Sequence, residues 1–597
     1  MNLADLNSQK STMDYPKAPT EPISILLVNL FYPEKHPTIG FPINVESLLG
    51  DIKGEFGDSV DVSLIDMQQP EVSVDNVLQK LTEKRFDILG LSLKTGHRLI
   101  AEQILDKVYA APQENRPRYL MIGGYRPRVY HDEFPKKYPK ILACVGEGEP
   151  TMRGMIEHIK GSISLEEIPN LVYMTSEGLQ RTRTQQHDLL TWHPPGTGSL
   201  PFVLESGGVV YLETNRGCSW MGCTFCHRRF SAGTRPYTIP VEKVAENWAN
   251  FGRLGVRNIY CGDDDFLMNN HAHGKALGQA LINANANIEF WAQTTVDGIL
   301  QLRRSAYSAE KEGLAAMREI TQVSKPQTTT ADSTVLLDDA VINSAKQALR
   351  TLKNAGLRRL FLGLESGSET QLIRYRKGVT ATEGAAAVRL CRSVGIEVEN
   401  GMIPFDPFAT MEELQENVNY IRSNDLGRST VKILNVMCIQ KGIAAFPPTK
   451  KAGLLTGERD IDTFLYPFKF ANARVGEIAK WVDRWHSDGV SEFTYALRRL
   501  IDADPFNPVT TKFLMEMRRL EFEFLAILVE GTDRSQDQTR YDQCIKQRFD
   551  ILERCMKEVG NDISLDPQQF LKDTFEKSFS EGQAWMKQTD TADVMRL

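Results

Sequence analysis

From Ile23 to about residue 436 the chain alternates short apolar stretches with amphipathic helical ones. That alternation restricts the fold to parallel β-sheets covered by helices. Strand candidates come first at 23–29, 60–66, 86–92, 119–124 and from 141, the last running into Gly146-Glu147-Gly148-Glu149. Helical stretches at 44–53, 74–84 and 99–110 lie between them. This first block, 23–160, reads as a doubly wound, Rossmann-like sheet, in which ligands are expected at the carboxyl ends of the strands. Residues 161–200 read as a connector with a small strand pair near 171–173 and a Pro-rich exit. Six further strand candidates follow at 209–213, 258–262, 288–293, 359–364, 396–403 and 431–436. Helical stretches at 241–251, 273–284, 338–355, 382–393 and 411–423 separate them. Six β-α units over 201–450 predict a partial (β/α)6 barrel of the triosephosphate-isomerase kind, with its chemistry at the C-terminal strand ends. Residues 304–334, charged and then Thr-rich, read as an inserted loop, and 1–22 as a disordered arm. Residues 451–597 read as a helical C-terminal domain, with helices at 471–485, 490–501, 510–528 and 537–559.

Directly after the first barrel strand stands Arg216-Gly217-Cys218-Ser219-Trp220-Met221-Gly222-Cys223-Thr224-Phe225-Cys226-His227, with cysteines spaced Cys-x4-Cys-x2-Cys. Three thiolates on one loop can hold three irons of a cubane cluster and leave the fourth without a protein ligand. A molecule with an amine and a carboxylate can chelate that iron. Three alternatives stand beside this. Zinc needs four ligands, and His227 adjoins Cys226 too closely to share one tetrahedral ion easily. Disulfides would leave one thiol over. Chance clustering among nine cysteines is the third.

The other barrel strands end in Gly262-Asp263-Asp264-Asp265-Phe266, Gln293-Thr294-Thr295, Gly363-Leu364-Glu365-Ser366-Gly367-Ser368 and Gly401-Met402-Ile403-Pro404-Phe405. These offer carboxylates for an ammonium group, hydroxyls for a ribose or methionine moiety, and an apolar platform for an adenine face. Taken singly, each is also what a helix N-cap looks like. In the first block the strand ends Ser92 to Thr95, Gly123-Gly124 and Gly146 to Glu149 are small or polar. Such residues let a flat ligand approach the backbone, or simply make tight turns.

The triplet with Phe225 before its last cysteine, Gly-Asp-Asp-Asp-Phe, Gly-Leu-Glu-Ser-Gly-Ser and Arg376-Lys377-Gly378-Val379-Thr380 resemble the radical S-adenosylmethionine superfamily. The order of domains resembles its cobalamin-dependent branch, over about 23–440. The resemblance implies a 4Fe–4S cluster on Cys218, Cys223 and Cys226. It implies S-adenosylmethionine held by Phe225, Gly262, Asp263, Asp264, Gln293, Glu365, Ser366 and Ile403. It implies cobalamin held by Asn29, Leu30, Ser92, Lys94, Thr95, Gly123, Gly124, Glu147 and Gly148. The activity implied is C-methylation of an unactivated carbon in a small-molecule or peptide substrate. A 5′-deoxyadenosyl radical takes a hydrogen atom, methylcobalamin donates the methyl group, and an external one-electron donor of flavodoxin or ferredoxin type supplies reduction. The alternative is a ring closure, contraction or rearrangement without methyl transfer, and a further one a non-enzymatic iron–sulfur or zinc protein. No catalytic acid or base is assigned.

Three departures accompany the resemblance. The usual cysteine spacing is Cys-x3-Cys-x2-Cys. The Asp-x-His-x-x-Gly cobalamin motif is absent, the chain reading Asn29-Leu30-Phe31-Tyr32-Pro33-Glu34, and Pro404-Phe405-Asp406-Pro407-Phe408 replaces a Gly-rich turn. A net charge of −7 gives no broad electrostatic reason to expect nucleic acid or anionic membrane as partner. No apolar run approaches the ~20 residues that span a bilayer. The remaining cysteines are scattered, as in a reduced cytoplasm. His187 and His193 read as solvent-facing, Trp481 and Trp485 as packing core. The C-terminal domain is expected to close over the barrel mouth and shape substrate choice.

Overall fold

The structure is a computed structural model that describes residues 21–32, 38–124, 130–227, 236–302, 339–487 and 504–562. The insertion at 304–334, the helix expected at 490–501 and most of the arm at 1–22 lie outside the described residues. The chain divides into two compact units, one of Met1–Tyr32 with Pro42–Gly198 and the other of Pro33–Phe41 with Ser199–Leu597.

In the first unit β1 (Ile23–Asn29), β2 (Val60–Asp66), β3 (Ile88–Leu93), β4 (Tyr119–Gly124) and β5 (Ile141–Cys144) pair in parallel. Helices α1 (Ile43–Phe56), α2 (Val74–Glu83), α3 (Arg98–Ala110) and α4 (Gly148–Ile159) accompany them. Every residue of β1 is buried, because both faces of the sheet are covered. Leu26 and Val28 join a core with Ile104 and Val108 of α3, whereas Ile25 and Leu27 join a second core with Met155 and Ile156 of α4. Alternate side chains of one strand thus feed opposite layers. The sheet does not stop at β5. Residues 161–200, expected as a connector, supply β6 (Leu171–Thr175), antiparallel to β5, and β7 (Gly178–Arg181), completing the order β2-β1-β3-β4-β5-β6-β7. His187 corrects the solvent-facing expectation. It is buried, its backbone N–H donates to the Glu147 carboxylate, and its Nε2 lies 3.7 Å from Asp51.

The second unit contains β8 (Tyr211–Leu212), then a short antiparallel pair, β9 (Asn215–Arg216) and β10 (Tyr237–Thr238). β11 (Asn258–Cys261), β12 (Glu289–Thr295), β13 (Leu357–Glu365), β14 (Glu397–Met402) and β15 (Thr430–Val431) follow. An all-parallel six-stranded sheet runs β15-β14-β13-β12-β11-β8, the open form expected of a partial barrel. Its helices are α5 (Val241–Arg253), α6 (His271–Asn283), α7 (Asp339–Asn354), α8 (Glu369–Tyr375), α9 (Ala381–Ser393) and α10 (Met411–Ser423). Reciprocal caps between Thr380 and Glu383 and between Thr410 and Glu413 start α9 and α10.

Helices α11 (Ala473–Ser487), α12 (Pro508–Glu530) and α13 (Asp537–Asp562) complete the chain, with Trp485 stacked on Phe524 at 4.7 Å in a packing core. The expected closure over the mouth is corrected in part. Leu455, Tyr466 and Phe468 do pack against Tyr375 and Ile403 at the C-terminal strand ends. α12 instead seals the other end, because its buried Arg518 reaches Glu399 at 2.6 Å. Arg359 pairs with Glu397 at 3.0 Å and Glu399 at 3.5 Å, and donates to the Pro505 carbonyl. Arg359 precedes the end of β13 by six residues, about 20 Å along a strand. These charges therefore form a floor far from the mouth. Among the described residues no helix is long and apolar enough to cross a membrane.

Replacing Arg518 by Ala leaves Glu399 with Arg359 alone, and urea unfolding is expected to show a loss of about 3 kcal/mol.

Candidate functional site

The cysteine loop leaves β9 through Gly217, at φ +98°, where a Cβ would stand 3.2 Å from Pro236 Cα. Arg216 braces the exit by a two-pronged pair with Glu213, at 2.7 and 3.0 Å. The loop is then fastened to the C-terminal end of α8. The Thr224 N–H donates to the Tyr375 carbonyl at 2.9 Å and its hydroxyl to the Arg374 carbonyl at 3.0 Å. Trp220 Nε1 donates to the Arg376 carbonyl at 2.8 Å. The Trp220 ring covers Gly378, which sits at φ +74° and whose Cβ would come within 2.1 Å of it. Phe225 meets Tyr375 edge to face at 5.6 Å, in an apolar cluster with Ile403.

Cys218, Cys223 and Cys226 are half-buried on this loop and near enough to act on one another's charge. Burial pushes the Cys218 thiol up, and Asp265 adds to it. Burial pushes Cys223 up to about 12, against the pull of Lys377. Among the described residues no three His, Cys, Asp or Glu side chains converge on a single ion position. His227 Nδ1 is 3.1 Å from Gln440 Nε2. The donor set on this loop is three sulfurs, one short of the four ligands of a structural zinc site.

The three aspartates after β11 divide their work. Asp263 is buried and turned inward, accepting from the Thr214 and Asn215 N–H groups at 2.8 and 3.2 Å and from Asn215 Nδ2 at 2.9 Å. Burial pushes it up to about 7, with those donors opposing. Asp265, which sequence reasoning left without a role, ties the cysteine loop to β12. It accepts from the Ser219 hydroxyl, from Thr294 Oγ1 at 2.8 Å and from the Thr295 N–H at 3.2 Å. Asp264 between them is half-buried, and Gly262 just before them is exposed. Gln293 accepts from the Tyr260 hydroxyl at 3.2 Å and donates to the Asp263 carbonyl.

At the end of β13, Glu365 sits at φ +67° and pairs with buried Lys377 at 3.0 Å. Burial pulls the Lys377 ammonium down, but Glu365 and the nearby Cys223 more than reverse it, and its pKa is raised. Ser366 is buried, within 2.6 Å of Gln371 Oε1 and 2.9 Å of Asn417 Oδ1, and so serves the fold. The Pro404 to Phe408 turn also has a structural use. Asp406 takes Arg374 through both oxygens, at 2.7 and 3.1 Å, and the Tyr375 hydroxyl at 2.9 Å, while Glu413 takes Arg374 from the other side. Lys377 lies inside a quoted motif, yet nothing in its spacing marks it as buried beside thiols.

In the first unit Asn29 donates to Asp66 at 2.7 Å, while its Oδ1 is buried without a hydrogen-bond partner at the end of β1. Leu30 is buried, and Ser92 accepts from Asn44 Nδ2. Lys94 keeps an accessible side chain, although the protein around its ammonium lowers its pKa and Asp66 opposes that. Thr95 is half-buried beside it. A Cβ on Gly123 would meet nothing nearer than Cys144 Cβ at 3.9 Å, an open face, whereas Gly124 is fixed by its φ of +95°. The later glycines are explained by packing. Gly146 abuts the Asn170 side chain and Gly148 abuts Leu48, while the Glu147 carboxylate holds His187.

Residues 212–421 match the radical SAM superfamily. The chain is 26% identical over 421 residues to 4′-phospho-dehydrooxetanocin synthase of Priestia megaterium, covering 67% of this chain and 51% of that one. It is 21% identical over 350 residues to hopanoid C-3 methylase of Methylococcus capsulatus, covering 58% and 57%. The chain thus spans about half the length of these curated relatives. In fold it is similar to the cobalamin-dependent S-adenosylmethionine radical enzyme OxsB solved with aqua-cobalamin and S-adenosylmethionine, with a TM-score of 0.74 and 21% identity over 95% of this chain and 84% of that one. It is also similar to the radical S-adenosylmethionine methyltransferase TsrM of Kitasatospora setae, with a TM-score of 0.55 and 16% identity over 73% and 78%.

Because Gly378 lies under Trp220 at positive φ, Gly378→Ala is expected to lower stability by at least about 2 kcal/mol. The same change should reduce the iron retained after anaerobic reconstitution, measured by colorimetric iron analysis alongside thermal melts.

Proposed function

For a chain that joins the radical SAM superfamily through residues 212–421 and shares its fold with cobalamin-dependent members, we propose a C-methyltransferase acting on an unactivated carbon of a small-molecule or peptide substrate. The observation that carries the reading is the three-sulfur loop, braced by Asp265 and the 374–376 carbonyls, beside the Lys377–Glu365 pair. Cys218, Cys223 and Cys226 would hold a 4Fe–4S cluster with one iron left for S-adenosylmethionine. The partnerless Asn29 Oδ1 and the open face of Gly123 fit a flat, amide-rimmed corrinoid. When bound, these groups supply one-electron cleavage of a sulfonium and a transferable methyl group.

The chain's own contribution is placement and exclusion. Asp265 fixes the first turn of the loop, so the sulfurs are held by packing rather than by the metal alone. Glu365 and Asp264 offer carboxylate oxygens to an ammonium group, and Gly262 leaves its backbone approachable. Phe225, Tyr375 and Ile403 form the apolar wall that keeps water from this end. Asp263, Ser366 and Glu147 act one step removed, through the backbone they hold. An external low-potential donor of flavodoxin or ferredoxin type, in a cytoplasmic setting, completes the reading.

Ring formation or rearrangement without methyl transfer is the second reading, favoured by the 26% match to a protein named as a synthase. Anaerobically reconstituted protein is expected to bind about four irons per chain and, with reductant and S-adenosylmethionine, to release methionine and 5′-deoxyadenosine. Ala at Cys218, Cys223 or Cys226 should abolish both. With substrate, S-adenosylhomocysteine formed in step with deoxyadenosine supports methylation, and deoxyadenosine alone supports rearrangement. Zinc in place of iron would end both readings.

A further inference from the structure

Lys377 is a buried cation whose position is set by several independent constraints. Its neighbour Arg376 is held through its carbonyl by Trp220, and its other neighbour Gly378 is pinned under the Trp220 ring. Trp220 stands two residues after Cys218. On the far side, Gly363 leaves room for the pair, since a Cβ there would stand 2.9 Å from Lys377 Nζ and 2.6 Å from Glu365 Oε1. Glu365 itself adopts φ +67°, a conformation that side chains larger than Gly and Asn seldom take. A local rule is thus broken to build one ion pair. A buried ion pair is weak evidence for stability, because desolvation offsets much of the attraction. The charge therefore calls for a use other than folding.

We propose that Lys377 sets the reduction potential of the cluster on Cys218, Cys223 and Cys226, with Glu365 as the counter-charge that limits its effect. The inference rests on the cluster reading above and adds a role for a residue that binds neither iron nor substrate. Reduction places one more negative charge on a group already carrying three thiolates. A cation fixed in a low-dielectric surround stabilises the more negative state. The electron comes from an external low-potential donor. No bond is made or broken on the protein, and Lys377 keeps its proton throughout. Asp265 opposes from the Cys218 side, but its oxygens are engaged by Ser219, Thr294 and Thr295, and among the described residues Lys377 is a cation that acts on both Cys218 and Cys223.

The test uses the full chain reconstituted anaerobically, without S-adenosylmethionine, as wild type, Lys377→Met, Lys377→Arg and Glu365→Gln. Iron content and thermal melts establish loading and folding, and a dithionite titration followed by visible and electron-paramagnetic-resonance spectra gives the midpoint potential. Lys377→Met is expected to shift the one-electron equilibrium at least tenfold toward the oxidised cluster, 59 mV. Lys377→Arg should return it to within threefold of wild type, and Glu365→Gln should shift it the opposite way. A general loosening of the site cannot produce shifts of opposite sign. Equal potentials in loaded wild type, Lys377→Met and Glu365→Gln overturn the inference, as do shifts in one direction. If Lys377→Met takes up no iron, the sign of the Glu365→Gln shift decides. A wild-type chain that takes up no cluster overturns the functional reading and this inference together.

Discussion

The carbonyl groups of Arg374, Tyr375 and Arg376 hold the cysteine loop from outside, and the rest of the mouth depends on that attachment. A loop without regular structure forms neither helix nor ladder, so its polar groups need partners elsewhere. Those partners lie at the C-terminal end of α8, and α8 is itself anchored. Arg374 is gripped by Asp406 at the outlet of β14 and by Glu413 in the first turn of α10. The position of thiols on the first barrel strand is thereby decided at the fifth. A substitution at Asp406 would touch no sulfur and still be felt at all three.

Charge is arranged differently at the two ends of this barrel. The floor is balanced in charge, two arginines facing two glutamates, and it closes the strands without any need for a ligand. The mouth gathers groups that resist ionisation where they sit. Burial raises Cys218, Cys223 and Asp263, and Lys377 with Glu365 is the compensating pair. Thiols of this kind lose their protons against positive charge, which a metal supplies. A structure that balances one end and leaves the other so poised has its chemistry at the second.

Much of this was legible in the sequence wherever a period or a spacing carried the information. β1, β2 and β4 fall where composition and pattern place them: β1, covered on both faces, is buried throughout, while the edge strand β2 interrupts its apolar residues with an exposed Asp61. The cysteine triplet identified its own loop. Legibility failed where identity had to be joined to direction. Asp263, Asp264 and Asp265 look alike in a row, yet burial separates them into a strand clamp, a half-buried carboxylate and the brace of the cysteine loop. Gly146 and Gly148 suggested a ligand, but Asn170 and Leu48 account for them. His187 sat in a polar stretch that folds back onto α1, a tertiary fact that local composition does not contain.

The segment after β1 lacks the cobalamin histidine motif and is described again from Thr38. In this chain the segment after β1 is counted with the second unit from Pro33 to Phe41, and its far end is stitched beside β8. The Phe41 N–H donates to the Val209 carbonyl at 2.8 Å, the Val209 N–H returns to Ile39 at 3.1 Å, and the Phe41 ring meets Phe251 edge to face at 5.4 Å. The described end of this segment is thus held beside β8 through one isolated parallel bridge, Gly40 to Val209. What stays at the end of β1 is Asn29, fixed through Asp66 and presenting a carbonyl oxygen that the protein itself leaves unsatisfied. A buried acceptor in that state costs about 1–3 kcal/mol unless something donates to it. That cost would fall away on binding of a group that presents hydrogen-bond donors at the end of β1, as the amide rim of a corrinoid would.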